Sequence, residues 1–405
     1  MSFATLSALV TTARATFARF ALPAAALLAL AAPAGAAEPL PTPGEVDALI
    51  AKAQGWLLEQ QQASGSFIPG KEFVVGLTGL AVAALVQSPG GVPADDPHIV
   101  KALALLKTFR QPDGGFYDKL EGLGDYGTSL TMLALLATHS EDAATITAAQ
   151  NYLFGIQNHD PKDTAVGGLG YGDDKPGDEN VETTVIGVQA LRASGVPASD
   201  PHLQAALKFL EHCQNLSAVN DQPWAKNGSN DGGSSYSPKE SHAGGSWASD
   251  ADKKAGEEQA AKGVLNSYGS MTYALISAYL TLDLKPEDPR VAAAYGWVKG
   301  HYRYDVNPGM SKGLERQGLI YYHGIMSRTF GLLGTKDFQT TDGKDVDWRA
   351  DLFAVIKSTA IPAKVGGDPA GGVIWLNSEK RWGEGVPHIA TTYMLQALKL
   401  IRAAL

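Results

Sequence analysis

The residues best suited to chemistry in this 405-residue chain are acids, imidazoles and phenols that share one local context. Glu182 lies in "NVETTVIGVQAL", Asp125 and Tyr126 in "GDYGTSL", and Tyr268, Met271 and Tyr273 in "SYGSMTY". Tyr321, Tyr322 and His323 lie in "LIYYHGIM", and Trp382, Glu384 and His388 in "RWGEGVPHIATTY". Each group stands at the start of an apolar run. A carboxyl there is a candidate general acid, and an imidazole, titrating near ~6.5, serves as acid, base or ligand. Aromatic faces beside carboxylates stabilise a cation or contact an apolar ligand. Plainer roles stay open for every one of them: tyrosines pack cores, histidines satisfy two hydrogen bonds, and Arg381 and Glu384 pair with neighbours.

Something must bring these run-starts together. Three segments open alike, "DDPHIVKALALLKTFRQ", "SDPHLQAALKFLEHCQN" and "EDPRVAAAYGWVKGHY". Asp at the N-cap with Pro at the first helical position is a strong helix start, and Ile99, Leu103, Leu106 and Phe109 then recur at helical spacing. A Gly-rich loop and a second, almost wholly apolar helix follow each one. Units without Asp-Pro begin near "VDALIAKAQ", "ITAAQNYLF" and "VDWRADLF". Six helix-loop-helix units at a spacing of roughly 50 residues are the signature of stacked supersecondary structure, with no strand-like alternation competing. The first helix of a unit is amphipathic and the second apolar all round, so the second needs neighbours on several sides. Closing six pairs into a double ring buries all the second helices. The expected fold is all-α, an α/α toroid, with the run-starts converging at the mouth of a central cavity.

The rest of the chain bounds the function. A net charge of −9 without a Lys/Arg cluster excludes a nucleic-acid footprint. Residues 1–36 carry Arg14 and Arg19, an apolar run from Phe20 to about Ala32, and small residues at Ala34 and Ala36. That pattern predicts a secretory signal peptide, export to the periplasm or cell surface, and a single domain over 37–405. Cys213 is the one cysteine, so neither a disulfide framework nor a Cys-rich zinc site is available. A long insertion, about 216–263, with Trp224, Tyr236 and Trp247, reads as a lid, a binding loop or a disordered segment.

"LLKTFRQPDGGF", "FGIQNHD…GGLGYG" and "TTYMLQAL" resemble the repeats of the terpene cyclase and protein prenyltransferase superfamily. "SYGSMTYALIS", "DVNPGM", "LIYYHGIMSRTF" and "RWGEGVPHIATTYMLQAL" resemble, more narrowly, exported bacterial prenyltransferase/squalene oxidase repeat proteins. The resemblance spans about Glu45 to Leu405 and implies a six-fold α/α toroid. Squalene-hopene-type cyclases use the middle acid of D-x-D-D-T; that motif is missing here, and Asn180, Glu182, Thr183 and Thr184 fall over it, with Glu182 at the donor position but lacking its second carboxylate. Asp250 and Asp252 have a similar spacing in a polar loop. The prenyltransferase zinc site lacks its cysteine on an inner helix and has Ala390 where the family has histidine, so no metal and no cofactor are expected. The Cys-Gly-Glu-Gln of thioester proteins is missing.

The resemblance therefore implies a cavity for an apolar small molecule or lipid, isoprenoid-like, and leaves peripheral membrane contact open. In a cyclase-like enzyme Glu182 would protonate an alkene or epoxide, tyrosines would stabilise the cation, and His323 or His388 would take the last proton. The alternatives are a non-catalytic lipid- or protein-binding toroid and a polysaccharide lyase-like enzyme, in which Asp173, Asp174, Asp178 and Glu179 would hold calcium and Arg316 or Arg328 act as base.

Overall fold

A computed structural model describes residues 38–172, 177–243, 265–310 and 313–405. The leader expected over 1–36, the Asp173–Asp174 pair, Trp247 and the Asp250–Asp252 stretch lie outside the described residues. Helices come in pairs along the chain: α1 (Pro43–Glu59) and α2 (Val74–Val86), α3 (Pro97–Thr108) and α4 (Gly124–Thr138), α5 (Ala143–Ile156) and α6 (Val181–Ala193). Next come α7 (Pro201–Cys213), the short α8 (Pro223–Asn227), and α9 (Gly269–Thr281). α10 (Pro289–His301) pairs with α11 (Leu319–Leu333), and α12 (Trp348–Ser358) with α13 (Pro387–Ala404). The Asp-Pro starts do what their chemistry dictates. Asp96, Asp200 and Asp288 each accept the backbone N–H two residues on, from His98, His202 and Arg290.

α2, α4, α6, α9, α11 and α13 form the inner ring: each touches the next, and α13 touches α2. Their composition demands it, since α9 is buried without a break from Gly269 to Tyr279. Around them, α3 leans on α2, α5 on α4, α7 on α6, α10 on α9 and α12 on α11, so an outer helix packs on the inner helix that precedes it. α1, the first described helix, packs on α13. The chain is an α/α toroid.

A repeated polar staple sets the spacing of the units. Gln157 Nε2 donates to Gly167 O at 2.8 Å and to His202 O, just inside the next outer helix, at 2.9 Å. Gln214 does the same to Gly232 and Arg290, and Gln61 to Gly65 and His98. The loop between also docks on its inner helix: Thr128, Thr184 and Thr272 Oγ1 accept the backbone N–H of Phe116, Leu169 and Ser234 at 2.9, 2.9 and 3.0 Å. The recurrent Tyr-Gly start has its reason here. A Cβ on Gly269 would come within 2.7 Å of Pro308 and 2.8 Å of Asn307, so only glycine lets that loop lie against α9.

Two antiparallel hairpins depart from the all-helical expectation. β1 (Asp337–Gln339) pairs with β2 (Asp345–Asp347), and β3 (Ile361–Val365) with β4 (Asp368–Ile374). The β3–β4 hairpin turns at Gly366–Gly367, both at positive φ, and packs on α1. Gly-Gly between short apolar runs is a hairpin signal, easily passed over between two strong helices. Of the 216–263 insertion, residues 216–243 are described and 244–263 are not.

Candidate functional site

Glu182 is the second residue of α6, and the helix start is pinned around it. Asn180 caps it by accepting from Thr183 N at 3.0 Å, and Thr183 Oγ1 donates to Leu169 O at 2.6 Å. With Thr183 and Thr184 turned to that loop, Glu182 is left on the lumen face, where it lines a cavity of about 50 Å³. Its carboxyl has no hydrogen-bond or ion-pair partner among the described residues, and burial alone raises its pKa from 4.5 to about 7. The negative charge of its ionised form would be felt by the phenols of Tyr126, Tyr171, Tyr236, Tyr268, Tyr321 and Tyr393, all of which resist ionisation chiefly because they are buried. A neutral acid facing a wall of neutral phenols is the chemical character of the site.

Of the residues picked out in the sequence, Tyr268, Met271, Tyr321, Trp382 and Glu384 line the same cavity as Glu182. Tyr126 joins them through its hydroxyl, 3.3 Å from that of Tyr393. That contact links α4 to α13 across the face of α2, and Gly76 of α2 makes room for it, since a Cβ there would collide with the Tyr126 ring. Trp382 is 38% exposed and closes the mouth. It adopts φ 56°, stacks under Arg381 at 4.6 Å, and rests on Gly318, whose φ of +66° opens α11. Glu384 is already engaged: it accepts from Tyr321 N at 2.8 Å and from Asn377 Nδ2 at 2.6 Å, and burial still raises its pKa to about 7.

The remaining candidates lie elsewhere. Neither histidine lines the cavity. His323 donates Nε2–H to Tyr304 O at 2.7 Å, facing the loop outside α11, and burial lowers its pKa to about 4. His388 sits in a separate apolar crevice with Leu77, Leu80 and Ile389, its ring 4.9 Å from Trp56 and both nitrogens without a hydrogen bond. The α13 periodicity explains it: Tyr393, Gln396 and Leu400 share a half-buried face, and His388 lies off it beside Ile389 in the crevice. Asp125 is wholly buried between α4 and α6, bonded to Ser129 Oγ at 3.0 Å, its other oxygen unpartnered. Tyr322 donates to Arg303 O at 2.7 Å, and Tyr273 packs edge-on against Tyr322 and Phe330.

Reasoning from the sequence missed His242 and Tyr393, and placed Tyr236 only loosely, as an aromatic in the insertion. His242 lines the cavity, its ring 4.4 Å from Tyr236 and 5.8 Å from Trp382, and burial lowers its pKa to about 3. Tyr236 shares a hydrogen bond with Tyr171 at 2.9 Å. Tyr393 was legible from the α13 face; His242 carried no local signal. As for metals, Glu179 already accepts from Asn158 Nδ2 at 3.0 Å and Gly177 N at 3.1 Å. Among the described residues no three His, Cys, Asp or Glu side chains gather as a metal site would need.

Solved structures of the type II terpene cyclase MstE from Scytonema superpose on this ring. The apo form matches at 13% identity and TM-score 0.50, covering 90% of this chain and 99% of that one. The fold is terpene-cyclase-like. A variant in complex with merosterolic acid A (product) matches at 12% and 0.53, and one with geranylgeranyl dihydroxybenzoate (substrate) at 14% and 0.50, each over 90% of this chain and 99% of that one. No family model matches the chain, and no curated protein is similar to it.

Proposed function

We propose that the chain is an exported toroid that binds an apolar, isoprenoid-like ligand at the mouth of the ring, and that Glu182 acts on it as a general acid. The observation that carries this is the Glu182 carboxyl, unpartnered among the described residues and facing tyrosines in a buried cavity. The fold shared with an enzyme solved with a geranylgeranyl substrate supports the ligand class. Acid strength narrows the reaction. A carboxyl raised to about 7 is neutral below that pH but a weak donor, and among the described residues no hydrogen bond to it sharpens its acidity. An epoxide oxygen suits such an acid better than a bare double bond. His242 replaces His323 and His388 as the acceptor of the final proton. A neutral imidazole with a low pKa is a feeble base, yet a carbocation is acidic enough to need no stronger one.

A binding role without chemistry is favoured by one observation. The cavity, about 50 Å³, is below the ~150 Å³ that holds benzene, so a prenyl chain enters only if Trp382 and its neighbours move. One experiment separates the readings. Mass spectrometry of an organic extract from the gently purified exported protein should find a stoichiometric isoprenoid, and an epoxide-bearing prenyl substrate should turn over in the wild type but not in Glu182→Gln. Retained ligand with no turnover in either protein sinks the acid role and leaves the binding one. An empty extract with no turnover sinks both.

A further inference from the structure

Below the aromatic cavity the lumen changes character. Arg328 lies seven residues after Tyr321 on α11, on the same face and about 10 Å deeper along the helix. Gly324 between them fixes that face as the inner one, since its Cβ position points at the Tyr393 ring. The Arg328 guanidinium donates through Nε to Ser277 Oγ at 3.2 Å, and that is its one hydrogen bond among the described residues. Ser277 stands seven residues below cavity-lining Ser270 on α9, so both partners belong to the same layer. None of the described carboxylates pairs with Arg328, and although burial lowers its pKa to about 10 it remains a cation at neutral pH.

Two amides share the level. Gln189 is seven residues below Glu182 on α6, and Gln396 is one turn below Tyr393 on α13; both are half-buried on the lumen face, and neither side chain hydrogen-bonds another described residue. A guanidinium deep in a ring, offered no counter-charge by the protein, is costly unless something else supplies one. Its planar fork matches carboxylate and phosphate oxygens, and adjacent amides would serve the remaining lone pairs.

We propose that this layer, at Arg328, recognises the acidic headgroup, carboxylate or phosphate, of the ligand whose apolar part occupies the aromatic cavity above. The inference rests on the isoprenoid reading and adds the class of molecule: an amphiphile with an anionic end, lying head-inward with its hydrocarbon towards Glu182.

The test is equilibrium binding to the full chain, followed by tryptophan fluorescence, with geranylgeraniol, geranylgeranoic acid and geranylgeranyl monophosphate as probes. The wild type should bind one or both anions about ten-fold or more tighter than the alcohol, and whichever anion is preferred names the headgroup. Arg328→Gln should bring that anion down to the alcohol's affinity and leave the alcohol unchanged, while Arg328→Lys keeps part of the preference. Equal binding of all three by the wild type overturns the headgroup site and spares the apolar cavity. No binding of any probe removes both. The wild-type comparison stands even if a variant fails to fold.

Discussion

Glu384 accepts the backbone N–H of Tyr321 at 2.8 Å, so the acid just before α13 caps the positive end of α11. Glu384→Ala should therefore cost stability rather than chemistry, about 1–3 kcal/mol because the Tyr321 N–H and the Asn377 amide lose their acceptor, read as a fall in denaturant midpoint. A catalytic Glu384 would instead lose turnover in the conservative Glu384→Gln while stability held.

Activity should follow the protonated form of Glu182. With its pKa at about 7, turnover is level below that pH and falls about ten-fold per unit above it. A pH–rate profile that stays flat to about pH 9 would remove Glu182 as the acid.

His242→Phe keeps a ring of similar size in the cavity and removes the proton acceptor; turnover should fall by about 10²-fold or more, or the product should change to one quenched by water. His323→Gln should leave kcat within about two-fold, since that side chain faces the Tyr304 carbonyl. Product analysis by gas chromatography decides between the histidines.

Asp125 makes stability depend on pH. Its pKa is raised from 3.8 to about 8, so the folded chain holds the proton more tightly than the unfolded one. The contribution is complete below about pH 4 and is lost as pH rises through 8. Asp125→Asn should match the wild type near pH 4 and exceed it at pH 8 by about 5 kcal/mol in denaturant unfolding.

Much of the ring was legible because its signals are local and repeated. Asp96, Asp200 and Asp288 cap helices wherever the chain goes next, and an all-apolar α9 has one kind of home. The site was legible where it sits on helix starts, as with Glu182, Tyr268 and Tyr321. It was misread where the face of the helix mattered more than its start: His388 and Tyr393 are five residues apart on α13, and only Tyr393 faces the cavity. His242 comes from a loop whose path depends on contacts distant in sequence, such as the Tyr236–Tyr171 bond, and no residue nearby announces it. The Gln staples were in plain view as "Q" before "GG", but their partner is a backbone carbonyl in the following outer helix, which sequence does not mark.

The packing of α1 on α13 brings the two extremities of the ring side by side, tied by Asp47 and Arg402 at 2.8 Å. A closed loop of units has no natural seam. Joining Leu405 to Pro39 through a short linker and reopening the chain between α6 and α7 would move the ends without altering which helices are neighbours. The order of synthesis, and with it the first unit to emerge and wait for its partners, would change while the finished wall stayed the same.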